Sequence, residues 1–134
     1  MENNNNVLEI RGLNSYFFTE KGVAPAVDGL DLDIPKGKII GLVGESGCGK
    51  STLGRTLIRM LPATRGSVTF EGQNITAMKD KEFAPLRRRM QMVFQDPYAS
   101  LDPRMKVRDI IAEPLETYHA VSYTHLTLPT NSRV

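Results

Sequence analysis

The chain has 134 residues, which suffices for one ordinary domain and not for two. Hydrophobic residues make up 40% of it and charged residues 24%, a globular composition that excludes a largely disordered or fibrous chain. The net charge of +2 gives no electrostatic reason to expect nucleic acid as a partner. The single cysteine allows no internal disulfide and favours a reducing cytosol. The sequence predicts neither a signal peptide nor a membrane-spanning helix.

The N-terminal part predicts strands. Residues 1–6 form a polar tail that is expected to be disordered. Val7–Ile10 predicts a strand, and Ala26–Ile34 alternates apolar residues with aspartates, as on a half-buried strand. A turn follows at Pro35–Lys38. The apolar run Ile39–Val43 then predicts a strand that is covered on both faces in a parallel sheet.

The rest of the chain alternates helices and strands. Apolar residues at helical spacing predict a helix over Lys50–Leu61, which Pro62 should end. The segments that follow are expected to be, in order, a strand at Gly66–Gly72, a charged helix broken at Pro85 over Lys79–Met90, a strand at Gln91–Gln95 and a helix at Val107–Leu115. This alternation is typical of the α/β class, here with an antiparallel portion near the start.

A glycine-rich loop carries the clearest chemical signal. Residues 44–51 read Gly-Glu-Ser-Gly-Cys-Gly-Lys-Ser and match the phosphate-binding pattern G-x-x-x-x-G-K-[ST]. Glycines let successive backbone N–H groups converge on phosphate oxygens, and the following helix points its positive end at them. Lys50 is expected to meet the β- and γ-phosphates, and the Ser51 hydroxyl to ligate Mg²⁺. The alternative is a chance match on a turn, but the motif follows an apolar strand and opens an amphipathic helix.

The loop therefore predicts a nucleoside triphosphate site. Its binding residues are consecutive: Gly44, Glu45, Ser46, Gly47, Cys48, Gly49, Lys50, Ser51 and Thr52. Cys48 occupies a variable position of the motif. We interpret it as a small filler whose backbone does the binding, in preference to a redox-active thiol.

Two motifs in combination give the chain a family resemblance. The loop through Thr52, together with Met92–Pro103 (Met-Val-Phe-Gln-Asp-Pro-Tyr-Ala-Ser-Leu-Asp-Pro), resembles the ATP-binding subunits of ABC transporters, most of all the oligopeptide and dipeptide importer branch. The resemblance extends from about Val7 to Leu115. It implies a partial P-loop NTPase fold of the ABC ATPase type, with ATP and Mg²⁺ as ligands.

The resemblance also implies roles for single residues. Gln95 matches the Q-loop glutamine, which in the family contacts Mg²⁺ and the attacking water; the alternative is a strand-end residue that caps a turn. Phe17 matches the aromatic residue that stacks on adenine; the alternative is packing against a sheet beside Tyr16 and Phe18. The run Arg87–Arg89 is interpreted as a solvated helix end and not as a nucleic-acid site.

Several family motifs are not found after Leu115: the signature Leu-Ser-Gly-Gly-Gln, a Walker B strand ending in Asp-Glu, and a switch histidine. The resemblance thus implies that the catalytic half is missing and that no catalytic residue lies in the chain. Residues 7–120 are assigned to the N-terminal part of the nucleotide-binding domain. Residues 121–134 are expected to be non-native, because Val121–Thr130 resembles a translated sequencing adaptor; the alternative is a genuine divergent tail.

The resemblance implies an ATP-hydrolysing subunit of an importer for peptides or a related small solute, located peripherally at the cytoplasmic face of the cell membrane. The expected partners are transmembrane permease subunits, a second ATPase subunit and, indirectly, an extracytoplasmic solute-binding protein, with no nucleic acid. Two alternatives stay open. One is a soluble ABC-type ATPase of DNA repair or translation, which the stretch Asp96–Pro103 disfavours. The other is a fragment without a function of its own.

Overall fold

The computed structural model describes residues 5–96, 98 and 100–118. The chain divides into two compact units, Met1–Met92 and Val93–Val134. Among the described residues, the first unit contains a sheet, two short α-helices, a 3-10 helix and the glycine-rich loop, and the second contains one helix. In the part of the chain that the structure describes, no helix is long and apolar enough to cross a membrane.

An antiparallel sheet of four strands, in the order β2-β1-β3-β4, frames the first unit. The strands are β1 (Asn6–Thr19), β2 (Gly22–Pro35), β3 (Arg65–Phe70) and β4 (Gln73–Asn74). β1 and β2 form a long hairpin, and β3 pairs with the other edge of β1. The predicted strands near Val7 and Ala26 and the one at Gly66–Gly72 are thereby confirmed.

One irregularity of the hairpin bears on the site. Ser15 pairs with Val27, and the next residue, Tyr16, pairs with Pro25, so that β2 has Ala26 as an extra residue. An extra residue of this kind is a β-bulge, which bends the strand and changes the direction of its backbone groups. The backbone of Ala26 contacts the glycine-rich loop at Gly49.

The helices are α1 (Lys50–Leu57), α2 (Asp80–Phe83), a 3-10 helix (Ala84–Arg88) and α3 (Val107–Thr117). The helix predicted over Lys50–Leu61 is confirmed but shorter, because the chain reverses at Arg59, whose φ is +57°. The charged helical segment is confirmed with a change from α to 3-10 geometry at Pro85, which lacks the N–H that an α-helix would use. The helix predicted at Val107–Leu115 is also confirmed.

The core lies between the sheet, α1 and the segment that contains α2 and the 3-10 helix. Leu53 and Thr56 are the buried residues of α1. The apolar core consists of Leu8, Ile10, Leu13, Val27, Leu53, Val68, Phe70, Ile75, Phe83 and Leu86. This packing fixes α1 against the sheet, and with it the loop that opens α1.

Two segments predicted to be strands, the first of them in a parallel sheet, are irregular. In Ile39–Val43 both end residues are almost fully exposed, at 99% and 96%, and Val93 within Gln91–Gln95 is 97% exposed. A strand needs a neighbour for its backbone hydrogen bonds, and every strand pair in the described residues is antiparallel and elsewhere. An apolar run predicts burial but does not specify the neighbouring strand that would provide it. This part of the prediction is wrong.

The N-terminal boundary also needs correction. The tail predicted to be disordered over residues 1–6 is too long, because Asn6 begins β1 and pairs with Pro35. The carbonyl of Asn5 accepts a 2.8 Å hydrogen bond from the N–H of Lys36. Residues 1–4 and the tail at 121–134 lie outside the described residues.

Candidate functional site

The glycine-rich loop rests on the bulge of β2. Gly49, the N-cap of α1, has φ +80° and ψ +33°, a left-handed conformation that favours glycine. A Cβ added to Gly49 would lie 2.9 Å from the carbonyl carbon of Ala26 and closer still to its oxygen. Glycine is therefore required here for two reasons, conformation and space, and the loop is positioned by direct backbone contact with the sheet.

The loop folds back on itself. A Cβ added to Gly44 would lie 2.6 Å from the Sγ atom of Cys48, so the start of the loop approaches its fourth following residue. The N–H of Cys48 donates to the carbonyl of Glu45 at 3.4 Å. Gly47, between them, also has φ +80°. The result is a tight turn whose backbone curls ahead of the helix, the arrangement that lets N–H groups converge on an anion.

Lys50 places its charge across this turn. Its Nζ donates to the carbonyl oxygens of Gly44 and Glu45, each at 2.8 Å, and lies 3.7 Å from the Sγ of Cys48. The ammonium is thus held at the concave side of the loop. A compact cation in this position can exchange carbonyl oxygens for the oxygens of a phosphate.

The N-terminus of α1 adds a second attraction for an anion. The first turn has no side-chain cap and no acidic residue, so its orphan N–H groups and the positive end of the helix are free of a competing carboxylate. Ser51 lies in this first turn and is exposed. Hydroxyl oxygen is a ligand type that Mg²⁺ accepts. The described residues contain no group of three or more His, Cys, Asp or Glu side chains that could hold a metal.

The predicted adenine-stacking residue lies on the face of β1 that contacts α1. The hydroxyl of Thr56 donates to the carbonyl of Thr52 at 2.9 Å and lies 3.3 Å from the Oγ of Ser15, which fixes this face of β1 against α1. Phe17 follows two residues later and therefore lies on the same face. It is 43% exposed and pairs with Ala24, next to the bulge. The position of Phe17 fits a base-stacking role.

The neighbouring aromatic residue is engaged on the opposite face. The hydroxyl of Tyr16 donates to Asp28 at 2.6 Å and lies 3.0 Å from the Oδ1 of Asn14. The hydrogen bond with Asp28 raises the pKa of the Tyr16 phenol, and desolvation adds to the effect. Because strand side chains alternate, Phe18 shares the face of Tyr16. Of these three aromatic residues, only Phe17 is on the side of α1.

Gln95 belongs to the second unit, apart from the loop in sequence. It is exposed and has no regular secondary structure. A turn follows it, in which the carboxylate of Asp96 accepts from the N–H of Tyr98 at 2.9 Å. The structure thus brings Gly44–Thr52 together and places Phe17 on the same side of the sheet, whereas the metal-binding role of Gln95 stays a prediction.

Sequence reasoning missed Ala26. Its side chain carries no chemistry, and its importance comes from a backbone carbonyl that contacts Gly49. The one sign in the sequence is Pro25, which cannot donate to a strand ladder and is typical of an irregular strand position. The arginine run needs no such revision, because Arg87 and Arg89 are exposed at the end of the 3-10 helix.

The chain is similar in sequence to known proteins. A family model described as ABC transporter matches residues 27–133. The chain is 55% identical over 113 residues to the oligopeptide transport ATP-binding protein OppF of Bacillus subtilis, covering 84% of this chain and 37% of that protein. It is 47% identical over 111 residues to the OppF protein of Escherichia coli, covering 83% and 33%. The chain thus spans about a third of the length of these curated relatives.

Solved structures show the same fold. A dimeric bacterial ABC transporter cassette matches with a TM-score of 0.75 at 21% identity, over 89% of this chain and 52% of that one. A post-hydrolysis state of a cassette bound to ADP and phosphate matches with a TM-score of 0.73 at 21% identity, over 86% and 49%. The predicted fold class is confirmed as a partial ABC ATPase fold with an N-terminal antiparallel sheet. The family match includes residues 121–133, for which a non-native origin stays a prediction.

Proposed function

The chain belongs to the ABC transporter family, and from this premise we propose that it is the nucleotide-binding part of an ATP-hydrolysing subunit of an importer for peptides or a related small solute. The observation that carries the proposal is the loop Gly44–Gly49, seated on Ala26 with the Lys50 ammonium across its concave side. The oligopeptide transport names of the relatives support the solute class.

The loop binds the triphosphate through its backbone and Lys50. The left-handed glycines at 47 and 49 turn consecutive N–H groups inward, and α1 contributes the positive end of its dipole. Lys50 gives up the carbonyls of Gly44 and Glu45 for β- and γ-phosphate oxygens. Electrostatic stabilisation of this kind is the main contribution that a protein makes to phosphoryl transfer.

Ser51 would hold Mg²⁺ together with phosphate oxygens, and a metal-binding role for Gln95 is carried by the family resemblance alone. Mg²⁺ prefers oxygen ligands in an octahedron and keeps several waters, so it requires few protein ligands. When bound, the ion neutralises charge on the β- and γ-phosphates. The chain supplies the ligands and their orientation.

Phe17 stacks on the adenine ring. Its partly exposed ring lies on the α1 side of the sheet beside the bulge that seats the loop. Stacking of a base on an aromatic side chain contributes about 1–3 kcal/mol. The phenol of Tyr16 is engaged with Asp28 on the other face, which supports Phe17 as the stacking residue.

The intact subunit acts with others in this proposal. It binds ATP together with a second ATPase subunit, and hydrolysis drives solute through transmembrane permease subunits that receive it from an extracytoplasmic solute-binding protein. The subunit is peripheral, on the cytoplasmic face of the cell membrane. The dimeric form of a similar cassette supports the pairing of two ATPase subunits.

Titration calorimetry with MgATP tests the binding function. We expect saturable binding to the chain that Lys50→Ala abolishes or reduces at least about tenfold, because a charge-assisted contact contributes more than 1.4 kcal/mol. The control is Lys81→Ala, which removes an exposed lysine in α2 and should bind as the wild type does. Equal binding by the Lys50→Ala chain would contradict the proposed site.

A further inference from the structure

Arg59 lies just beyond the helix that opens at the phosphate loop. α1 ends at Leu57, and two residues later Arg59 has φ +57°, which is uncommon for a residue with a side chain. The N–H groups of Met60 and Leu61 both donate to the carbonyl of Arg55, at 2.8 and 3.2 Å. These bonds close the C-terminus of α1 and fix the position of Arg59 relative to the helix.

The Arg59 side chain contacts α2. Its guanidinium carbon lies 4.7 Å from the centroid of the Phe83 ring, and its Nη2 donates to the carboxylate of Asp80 at 3.3 Å. Its Nη1 is buried without a nitrogen or oxygen partner. Because the guanidinium lies over the ring, a cation–π interaction compensates this nitrogen. Arg59 thus depends on Phe83 as well as on the ion pair.

Phe83 fixes the segment that follows. Its side chain is fully buried, and the guanidinium carbon of Arg87, in the 3-10 helix, lies 5.4 Å from the same ring centroid. Leu86, between them, is also buried in the core. The Phe83 ring therefore joins the segment Asp80–Arg88 to the end of α1, because it contacts the guanidinium of Arg59 as well as that of Arg87.

We infer that Arg59 is a positioning residue that couples nucleotide binding at the loop to the segment Asp80–Arg88. This inference rests on the proposed function. α1 is a rigid rod of about 12 Å whose first turn contains Lys50 and whose far end directs Arg59 onto Phe83. When phosphate replaces the carbonyl partners of Lys50, a shift of α1 reaches Phe83 and Asp80 through Arg59.

Amide hydrogen exchange of the full chain, with and without MgATP, tests the coupling. In the wild type we expect ATP to slow exchange at 44–52 and also at 80–88, by at least about fivefold, which is the lower end of typical coupling between sites. In Arg59→Met the slowing at 44–52 should persist and the slowing at 80–88 should be lost. Arg55→Met is the matched control, because this exposed side chain lies in the last turn of α1, four residues before Arg59.

A second variant guards against simple misfolding. Arg59→Lys keeps a cation for Asp80 and removes the planar group over Phe83, so it should fold and still lose most of the ATP-dependent slowing at 80–88. Full retention in Arg59→Lys or in Arg59→Met would overturn the inference. The inference would also be overturned if Arg59→Met exchanged faster at 80–88 but responded to ATP as the wild type does, because that result indicates a structural role only.

The experiment separates the inference from its premise. Slowing at 44–52 in the wild type without any change at 80–88 would overturn the coupling and leave the phosphate loop assignment intact. No slowing at 44–52 would contradict the proposed nucleotide site, and the coupling with it. The nucleotide site and the coupling are both supported if ATP slows exchange at both segments and the Arg59 variants lose the slowing only at 80–88.

Discussion

Gly49→Ala should damage the phosphate loop more than any other glycine substitution in it. The new Cβ destabilises the loop in two ways. An L-residue in the left-handed conformation at φ +80° is strained by about 1–2 kcal/mol. The Cβ would also lie 2.9 Å from the carbonyl carbon of Ala26 and closer to its oxygen. Real Cβ atoms essentially never come within 3.0 Å of such atoms, so either the loop or β2 must move.

The second cost can be isolated with a matched variant. Gly47 has the same φ of +80°, but a Cβ there meets nothing within 4 Å. Gly47→Ala should therefore lower the free energy of unfolding only by the conformational strain. Gly49→Ala adds overpacking of about 1–3 kcal/mol, so that its total destabilisation is roughly 2–5 kcal/mol. Gly41→Ala, where the space is open and φ is not positive, should change stability little.

Urea unfolding followed by circular dichroism measures these free energies of unfolding, and MgATP titration measures the effect on binding. We expect the free energy of unfolding to fall by at least about 1 kcal/mol more in Gly49→Ala than in Gly47→Ala. If Gly49→Ala keeps its stability because the loop moves away from β2, it should lose ATP binding instead. Replacing Ala26 with Gly should not rescue Gly49→Ala, because the clash is with backbone. Equal stability and equal ATP affinity of the two variants would refute the reasoning that seats the loop on the bulge.

Further predictions concern the nucleotide and the ends of the chain. Lys50→Ala in the intact subunit should abolish ATP turnover in a phosphate-release assay, since developing charge on the phosphates is left uncompensated; activity within a few-fold of wild type would count against it. Phe17→Ala should weaken ATP binding by about 1–3 kcal/mol, Phe17→Tyr should preserve it, and a loss at Tyr16→Ala alone would move the stacking role by one residue. The 134-residue chain should show no steady-state phosphate release above that of its own Lys50→Ala variant. The nucleotide sequence that encodes Val121–Thr130 should match the adaptor base for base, and synonymous codons would argue for a genuine tail.

The turn at Gly44–Gly49 and the helix that follows it could be predicted because both depend on consecutive residues. The pattern itself requires the turn, Lys50 and the helix that follows. The strand predicted at Ile39–Val43 is wrong for the described structure, because an apolar run predicts burial without specifying the neighbouring strand. Phe17 is an intermediate case, in which the alternation of β1 separates it from Tyr16 only once the contact between Ser15 and α1 is known.

Two features lay beyond sequence reasoning because they join distant parts of the chain. The contact of Gly49 with Ala26 depends on a bulge in β2, and the contact of Arg59 with Phe83 depends on how α1 ends. Neither residue pair has a spacing or residue type that marks it. Tertiary packing decides both contacts, and the first of them positions the loop against the sheet.

Glycine-selective ¹⁵N labelling offers the most direct measurement of the nucleotide site. The chain has 11 glycines, and a titration with MgATP reports on each backbone N–H separately. We predict saturable shifts at Gly44, Gly47 and Gly49, and none of comparable size at Gly72, which lies in the turn between β3 and β4. Shifts that are absent, or that are as large at Gly72 as in the loop, would contradict the assignment of residues 44–49 as the phosphate-binding cradle.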